Sequence, residues 1–286
     1  MQRELQQIVP GLATSDGAGV RIKRTLGQAP QVRFDPFLML DEFNSEDADD
    51  YIAGFPSHPH RGFETVTYML EGHMLHEDHM GNRGDLKSGD VQWMTAGRGI
   101  IHSEMPQQEE GAMRGFQLWI NLPAAEKMKP AAYRDIRAQE IPVVPLPEGG
   151  QVKVIANSIS INGQTTQGPI QGLSTDPIYW DVCLPAGAEF NQVVPQDHNL
   201  FVYVYEGGIA LGNNQRELTA GNAGMTFQGD ELRVSALNQD ARFLVLAGIP
   251  IKEPIAQYGP FVMNTSDEIE QAIRDYRSGT LASPSP

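Results

Sequence analysis

Six short runs of β-branched and aromatic residues, separated by segments rich in glycine and proline, constrain the fold of this chain most strongly. The runs cover residues 64–70, 90–94, 115–120, 152–155, 200–205 and 241–246. Short strand-forming runs joined by turn-forming residues are typical of β-sandwiches and β-barrels, so the chain is predicted to be all-β. One helix is predicted at residues 266–277, because Thr265 and Glu268 have capping-box spacing and Gly279 follows as a stop signal. The last four residues, Ser-Pro-Ser-Pro, are expected to be disordered.

A weak internal repeat divides the chain into two similar halves. Residues 68–72, YMLEG, are followed by LKSGD at 86–90, and residues 203–207, YVYEG, are followed by LTAGN at 218–222. Two copies of one β-barrel are the most economical interpretation. We therefore predict a first barrel over residues 1–140 and a second barrel with a C-terminal helix over residues 151–286. Residues 141–150, IPVVPLPEGG, contain three prolines and two glycines and are predicted to be a connector.

Two clusters of polar side chains in the first half predict a metal site. Side chains alternate along an extended chain, so residues 58, 60 and 64 (His, His and Glu) are predicted to share one face. The same parity brings His102 and Glu104 together. Neighbouring segments of this kind would direct three imidazole nitrogens and one or two carboxylates to one metal ion, and iron, manganese, cobalt, nickel, copper or zinc suits such ligands. The alternatives are hydrogen-bonded structural histidines, or an exposed His-X-His pair that binds metal adventitiously.

The other histidines receive lesser roles in this interpretation. His73, His76 and His79 follow Glu71-Gly72 and are predicted to lie in a solvated loop. Equal offsets in the repeat place four residues of the second half at the ligand positions: Val193, Pro195, Val234 and Ala236. None of these side chains ligates a metal, so the second barrel is expected to be metal-free.

Charge and cysteine content exclude several classes of function. The chain has 36 Asp and Glu against 21 Lys and Arg, a formal net charge of −15, which repels a phosphate backbone and argues against direct nucleic-acid binding. One cysteine, Cys183, excludes an internal disulfide and a multi-thiolate zinc site. The N-terminal MQRELQQIVP is unlike an export signal, and no apolar run approaches the roughly 20 residues that span a bilayer. We expect a cytoplasmic monomer that does not enter a membrane.

Longer motifs resemble a known family. Gly54-x3-His58-x-His60-x3-Glu64-x7-Gly72 is similar to the first cupin motif, and Gly89-x5-Thr95-x-Gly97-x4-His102 is similar to a modified second one. More narrowly, four segments resemble the pirin family. They are PSHPHRGFETVTYMLEG at 56–72, GDVQWMTAGRGIIHSEMP at 89–106, FQLWINLP at 116–123 and PFVMNT at 260–265. The resemblance extends over almost the whole chain.

The pirin resemblance implies a fold and a function. The expected fold is a pair of tandem cupin barrels, of the jelly-roll or double-stranded β-helix type. The resemblance implies one Fe(II) ion in the first barrel, held by His58, His60, His102 and Glu104, with Glu64 as a supporting residue or a substitute ligand. Arg61, between His60 and Gly62, is predicted to be either a supporting residue of the site or a surface cation.

The implied activity is that of a dioxygenase that cleaves flavonols of the quercetin type with O2, with Glu104 also acting as general base. One alternative is a regulatory protein that binds transcription factors or metabolic enzymes according to the oxidation state of its iron. Another is an isomerase or hydrolase that uses the same site with another divalent metal.

Overall fold

The computed structural model describes residues 1–282, and each of the six strand-forming runs is a β-strand in it. Numbered in chain order, the described strands are β1 to β26, and every pairing between them is antiparallel. They form two units, here called the first barrel and the second barrel, each with a seven-stranded sheet, a four-stranded sheet and one hairpin. The Ser-Pro-Ser-Pro segment lies outside the described residues.

The first barrel contains eleven strands in two sheets. In spatial order its larger sheet comprises β12 (Ala132–Ile136), β9 (Val91–Thr95), β6 (Phe63–Glu71), β11 (Met113–Asn121), β4 (Phe37–Ser45), β3 (Val20–Arg24) and β2 (Leu12–Asp16). Its smaller sheet comprises β5 (Phe55–His60), β10 (Ile100–Pro106), β7 (His73–Asp78) and β8 (Arg83–Lys87). Strands β25 (Ala256–Tyr258) and β26 (Phe261–Met263) form a hairpin before the helix α1 (Ser266–Arg277). Short 3₁₀ turns cover Ala48–Asp50, Ala124–Glu126 and Ala138–Glu140.

The second barrel repeats the arrangement of a large and a small sheet. In spatial order its larger sheet comprises β1 (Leu5–Pro10), β22 (Asn222–Thr226), β19 (Asn199–Glu206), β24 (Ala241–Gly248), β17 (Ile178–Leu184), β14 (Gln151–Ala156) and β13 (Val143–Pro145). Its smaller sheet comprises β18 (Glu189–Val193), β23 (Glu231–Ala236), β20 (Gly208–Leu211) and β21 (Arg216–Thr219). Strands β15 (Ser158–Ile161) and β16 (Gln164–Gln167) form its hairpin.

The predicted domain boundaries, which follow chain order, differ from these units. Residues 1–12 belong to the second barrel, because β1 pairs with β22, and residues 251–282 belong to the first. Residues 141–150 are not a free connector, because β13 within them pairs with β14 as the edge strand of the larger sheet. Proline is compatible with an edge strand, which explains why a proline-rich segment is part of a sheet.

The predicted helix has the predicted bounds. The Thr265 hydroxyl accepts from the Glu268 backbone N–H, and the Glu268 carboxylate accepts from the Thr265 backbone N–H, so the capping box is complete. Ile269 and Ala272 are buried with Phe261 and Met263 of the hairpin, so the apolar stripe of the helix covers part of the first barrel. No helix within residues 1–282 is long and apolar enough to cross a membrane.

The apolar cores of the two barrels differ. The second barrel contains one large cluster that includes Trp180, Phe190 and Phe243. In the first barrel, polar side chains such as His60, His102 and Glu104 are buried beside apolar residues. Because burial of polar groups is costly without a partner, this difference directs attention to the first barrel as the functional one.

Candidate metal centre

Three histidines of the first barrel converge on one point. His58 and His60 lie on β5, and His102 lies on the neighbouring β10, directly opposite His58. One ring nitrogen of each histidine lies within 4.8 Å of the others, and Nε2 of His58 is 3.0 Å from Nε2 of His60. A register shift between His102 and Glu104 interrupts the pairing of the two strands here, as β-bulges often do beside functional sites. We call His58, His60 and His102 the histidine cluster.

The opposite ring nitrogens fix the orientation of two of these imidazoles. Nδ1 of His58 lies 2.8 Å from the backbone carbonyl of Pro56, which only accepts, so Nδ1 carries the proton and Nε2 has a free lone pair. Nδ1 of His102 lies 3.1 Å from Nε2 of His76. Nε2 of His102 is buried and has no hydrogen-bond partner among the described residues. A buried nitrogen without a partner, beside two lone pairs, is the arrangement that a metal ion would complete.

Burial keeps the histidine cluster in the form that binds metals. The pKa values of His60 and His102 are well below the ordinary value, mainly because burial disfavours the charged ring and then because neighbouring imidazoles repel a positive charge. His60 and His102 are 3% and 1% exposed, whereas His58 is only half-buried. His60 and His102 are therefore neutral near pH 7, and the cluster is accessible on the side of His58.

His76 belongs to this site, and the sequence interpretation of it as a loop residue is wrong. It lies on β7, is 1% exposed, and faces Glu104 across the β7–β10 pairing. Burial lowers the pKa of His76, and the nearby Glu104 carboxylate opposes that shift. Its Nε2 is also 3.4 Å from the hydroxyl of Tyr133, whose pKa is raised by burial and by the Asp78 carboxylate. His73, in contrast, is partly exposed and contacts Asp85.

Glu104 lies beside the histidines but outside the group in which all ligand atoms are within 4.8 Å. Its carboxylate is 4% exposed and lies 3.1 Å from the hydroxyl of Thr67. The same hydroxyl is 2.6 Å from Oε1 of Gln117, so two oxygens compete for one proton. Glu104 follows His102 by two residues on β10 and shares its face. The Glu104 carboxylate is thus a neighbour of the cluster, and it shares the Thr67 hydroxyl with Gln117.

Glu64 does not share the face of His58 and His60, and this prediction is wrong. The Arg61-Gly62 turn, with Gly62 at φ 91°, separates β5 from β6 and breaks the alternation. Glu64 accepts hydrogen bonds from Trp93 and Thr95 of β9, on the face of β6 opposite Thr67. Burial raises its pKa, and these two donors oppose the shift. Its role is to satisfy two buried donors outside the barrel interior.

Arg61 is not a surface cation, and the hydrogen bonds of its guanidinium lie away from the histidine cluster. Its guanidinium is 3% exposed and pairs with Asp275 of α1 at 2.7 Å. It also donates to the backbone carbonyls of Arg98 and Leu281. The side chain therefore holds the C-terminal helix against the turn that follows β5.

An aromatic wall borders the cluster. The ring centroid of His60 lies 5.1 Å from that of Phe63 and 5.3 Å from that of Trp119, and the two aromatic rings are 4.3 Å apart. The indole Nε1–H of Trp119 is buried and has no acceptor among the described residues. Such a wall suits a planar aromatic molecule, and the indole N–H can donate to an oxygen on it.

The second barrel has no histidine or carboxylate at the positions of the cluster or of Glu104. The Glu-Gly turns align His76 with Leu211, and the strand pairings then align Glu104 with Val234, His102 with Leu232, and His58 with Gln192. The predicted counterparts of His102 and Glu104, Val234 and Ala236, were therefore displaced by two residues on β23. His198, the histidine of this barrel, is bonded to Asp197 and to the carbonyl of Asp176. Its ring is engaged in a turn.

The chain is similar to known proteins over almost its whole length. A family model described as pirin matches residues 19–120, and one described as the pirin C-terminal cupin domain matches residues 179–282. A protein of Pseudomonas aeruginosa, provisionally named quercetin 2,3-dioxygenase, is 54% identical over 98% of both chains. Human pirin is 41% identical over 92% of this chain and 89% of its own. The solved structure of quercetin 2,3-dioxygenase from Acinetobacter baumannii is 34% identical, covers 99% of both chains and superposes with a TM-score of 0.89. The expected pair of cupin barrels is thereby confirmed.

Proposed function

The chain belongs to the pirin family, and from that premise we propose that it is an iron-dependent dioxygenase that cleaves flavonols with O2. The observation that carries the proposal is the histidine cluster, with three imidazoles converging on one point beside an aromatic wall. The name of the Acinetobacter relative supports the substrate class, and the provisional name of the Pseudomonas relative agrees with it.

Three imidazoles and one carboxylate form the proposed ligand set. His58, His60 and His102 would bind through Nε2, and Glu104, next along the same face of β10 as His102, would complete the set. Imidazole and carboxylate ligands are typical of iron sites that keep open positions. When bound, iron would supply Lewis acidity and the one-electron chemistry that lets dioxygen react with an aromatic ring.

The side chains around the cluster would perform the other tasks. Phe63 and Trp119 would hold the planar flavonol against His60, with the indole N–H of Trp119 donating to an oxygen of the substrate. The carboxylate of Glu104 would accept the proton of the flavonol 3-hydroxyl. Thr67, which also lies 2.6 Å from Gln117, can turn its proton away from Glu104 and leave that carboxylate free to act as a base.

Oxygen uptake by metal-loaded protein tests the proposal directly. Protein loaded anaerobically with Fe(II) should consume oxygen only when a flavonol such as quercetin is added, and His60→Ala should abolish both metal retention and uptake. The matched control is His73→Ala, since His73 is partly exposed and contacts Asp85 outside the cluster. It should retain metal and activity.

The other outcomes distinguish the alternatives. If the protein binds iron but shows no flavonol-dependent oxygen uptake, and its bound partners differ between the ferrous and ferric forms, it is a redox-dependent regulator and not a dioxygenase. Turnover of another substrate without oxygen would indicate an isomerase or hydrolase. Unaltered flavonol turnover in His60→Ala would reject the site itself.

A further inference from the structure

Two polar side chains lie behind the histidine cluster and have no part in the proposed reaction. Asp78 ends β7 directly opposite His102 of β10, just as His76 lies opposite Glu104. Residues that face each other across an antiparallel pair point to the same side of the sheet, so Asp78 and His76 share a face with two of the proposed ligands. Tyr133 approaches from β12 of the larger sheet, and its ring packs edge-on against His76 with the ring centroids 5.1 Å apart.

The carboxylate of Asp78 receives the hydroxyl proton of Tyr133. The two side chains are hydrogen-bonded, and an ionised carboxylate only accepts, so the phenol is the donor. The raised pKa of Tyr133, caused first by burial and then by the Asp78 carboxylate, keeps the proton on the phenol. The carboxylate is itself fixed, because it accepts from the backbone N–H of Met80 at 2.8 Å and from the side-chain amide of Asn82 at 2.8 Å. A hydroxyl group has one proton, so the bond to Asp78 leaves none for another acceptor.

His76 has one lone pair for two neighbouring donor groups. A neutral imidazole carries a proton on one ring nitrogen and accepts with the other. Nε2 of His76 lies 3.1 Å from Nδ1 of His102 and 3.4 Å from the hydroxyl oxygen of Tyr133. If the Tyr133 proton pointed at Nε2 of His76, this nitrogen could not accept from His102. Because Asp78 takes that proton, the lone pair of His76 is left for His102.

We propose that Asp78 is a positioning residue that sets the tautomer of His102 by holding the Tyr133 proton away from His76. His76 then accepts from Nδ1–H of His102, which leaves the lone pair of His102 on Nε2, a buried nitrogen without a partner among the described residues. A metal bound at Nε2 requires this tautomer, which is fixed by the hydrogen bond that the other ring nitrogen makes. Asp78 has this role only if the histidine cluster binds metal, as in the proposed function, but neither iron nor flavonol cleavage is required.

Removal of the Asp78 carboxylate should release the Tyr133 proton to Nε2 of His76. His76 would then carry its own proton on Nδ1, which lies 3.4 Å from Nδ1 of His102 and would donate to it. His102 would be left with its proton on Nε2, in the place of the metal. Loss of the hydrogen bond that orients a metal-bound histidine lowers metal affinity by about 10–100-fold. Removal of the Tyr133 hydroxyl as well should cancel this effect, because no competing proton remains.

Zn(II) affinity in a set of matched variants tests this role of Asp78. Competition of the full-length protein with a chromophoric chelator gives the dissociation constant, and Zn(II), which is not redox-active, needs neither oxygen nor substrate. Asp78→Ala should weaken binding at least about tenfold, whereas the double variant Asp78→Ala with Tyr133→Phe should bind within about threefold of the unaltered protein. The control Asn82→Ala removes a turn contact of the carboxylate but leaves the acceptor of Tyr133 in place, and it should also stay within about threefold. If Asp78 only supported the turn, the losses would add and the double variant would show no recovery.

Nitrogen chemical shifts of the metal-free protein report the tautomer itself. Long-range ¹⁵N–¹H spectra should show His102 with its proton on Nδ1 in the unaltered protein and in the double variant, and on Nε2 in Asp78→Ala. His58 is the internal control, since its Nδ1 is bonded to the carbonyl of Pro56, away from the substituted residues. If Asp78→Ala unfolds, Asp78→Val, whose side chain suits a strand, provides the same test.

The possible outcomes separate this role of Asp78 from the proposed function. An unchanged His102 tautomer in Asp78→Ala, a Zn(II) affinity of that variant within about threefold of the unaltered protein, or no recovery in the double variant would overturn it. Absence of Zn(II) binding by the unaltered protein would reject the metal site and this role together. Zn(II) binding with the expected recovery, but no flavonol-dependent oxygen uptake by the iron-loaded protein, would reject the dioxygenase and uphold the role of Asp78.

Discussion

Replacement of His76 by phenylalanine tests how the first barrel orients its metal ligands. His76→Phe keeps a ring of similar size in a position that is 1% exposed, but removes the acceptor 3.1 Å from Nδ1 of His102. A buried donor left without a partner costs about 1–3 kcal/mol. Loss of a residue that orients a metal-bound histidine lowers metal affinity by about 10–100-fold, or about 1.4–2.8 kcal/mol. The two estimates agree, so we expect a loss of this size.

Anaerobic competition of the protein with a chromophoric chelator measures the affinity for Fe(II), and the visible spectrum of the Co(II) form reports the ligand geometry. His76→Asn, whose amide oxygen can accept from His102, should recover part of the affinity. The control is His73→Phe on the same strand, with a side chain that is 33% exposed and bonded to Asp85. An unchanged affinity in His76→Phe would refute an orienting role. A loss as complete as in His102→Ala, with no recovery by asparagine, would show that His76 is itself a ligand.

Three further predictions concern the same barrel. Glu104→Gln should lower metal affinity and abolish oxygen uptake. Glu64→Gln should leave metal affinity unchanged but lower the free energy of unfolding by about 1–3 kcal/mol, measured with urea. The reverse pattern would make Glu64 the ligand. The metal-free protein should lose stability as the pH falls below about 6.5, because the unfolded chain binds protons that the buried His60 and His102 exclude in the folded state. The loss should reach up to about 1.4 kcal/mol per pH unit for each of these two histidines. Urea midpoints that do not change between about pH 7 and 5 would contradict the lowered pKa values. Arg61→Met should remove the donor to Asp275 and to the carbonyls of Arg98 and Leu281, destabilise the protein by about 1–3 kcal/mol and expose the C-terminal helix to limited proteolysis. Asp275→Asn should cost less, because Arg61 keeps its two carbonyl acceptors and the amide oxygen of asparagine can still accept from it. Equal protease resistance in the Arg61 variant and the unaltered protein would argue against this clamp.

Features of the fold that depend on neighbouring residues could be predicted from the sequence. The six strands and the helix follow from local periodicity, turn residues and capping, and each of these signals acts within a few positions. Within one strand the parity argument also holds, because His58 and His60 of β5 and His102 of β10 belong to one group of converging nitrogens. A doublet of ligands on a single strand needs no tertiary information.

The alternation of side chains between the two faces of a strand does not continue through a turn. Glu64 was assigned to the face of His60, but the turn at Gly62 starts a new alternation, and its geometry is not encoded in the count of residues. His76 was missed because HMLHED looks polar, although Met74, Leu75 and His76 are all buried. The repeat held a usable signal, since the apolar GIAL after Glu206-Gly207 indicates a strand at the corresponding position of the first half.

Pairing between distant segments could not be predicted at all. Nothing local in residues 5–10 distinguishes an edge strand of the first barrel from one of the second, yet Leu5 pairs with Thr226. The same holds for the helix, whose sequence specifies an apolar stripe but not the surface that covers it. Such choices depend on the complementarity of complete sheets, which a one-dimensional pattern does not describe.

The exchange of terminal segments has a consequence for synthesis of the chain on the ribosome. Each barrel includes residues from both ends of a long stretch of chain, so the first barrel lacks its helix and hairpin until almost the whole polypeptide has emerged. Domains usually fold one after another during translation, the N-terminal one first. Here the first barrel, which carries the histidine cluster, must wait for the hairpin and helix after residue 250. A nonsense mutation between residues 251 and 265 would leave the second barrel with all its segments and the first barrel without its helix.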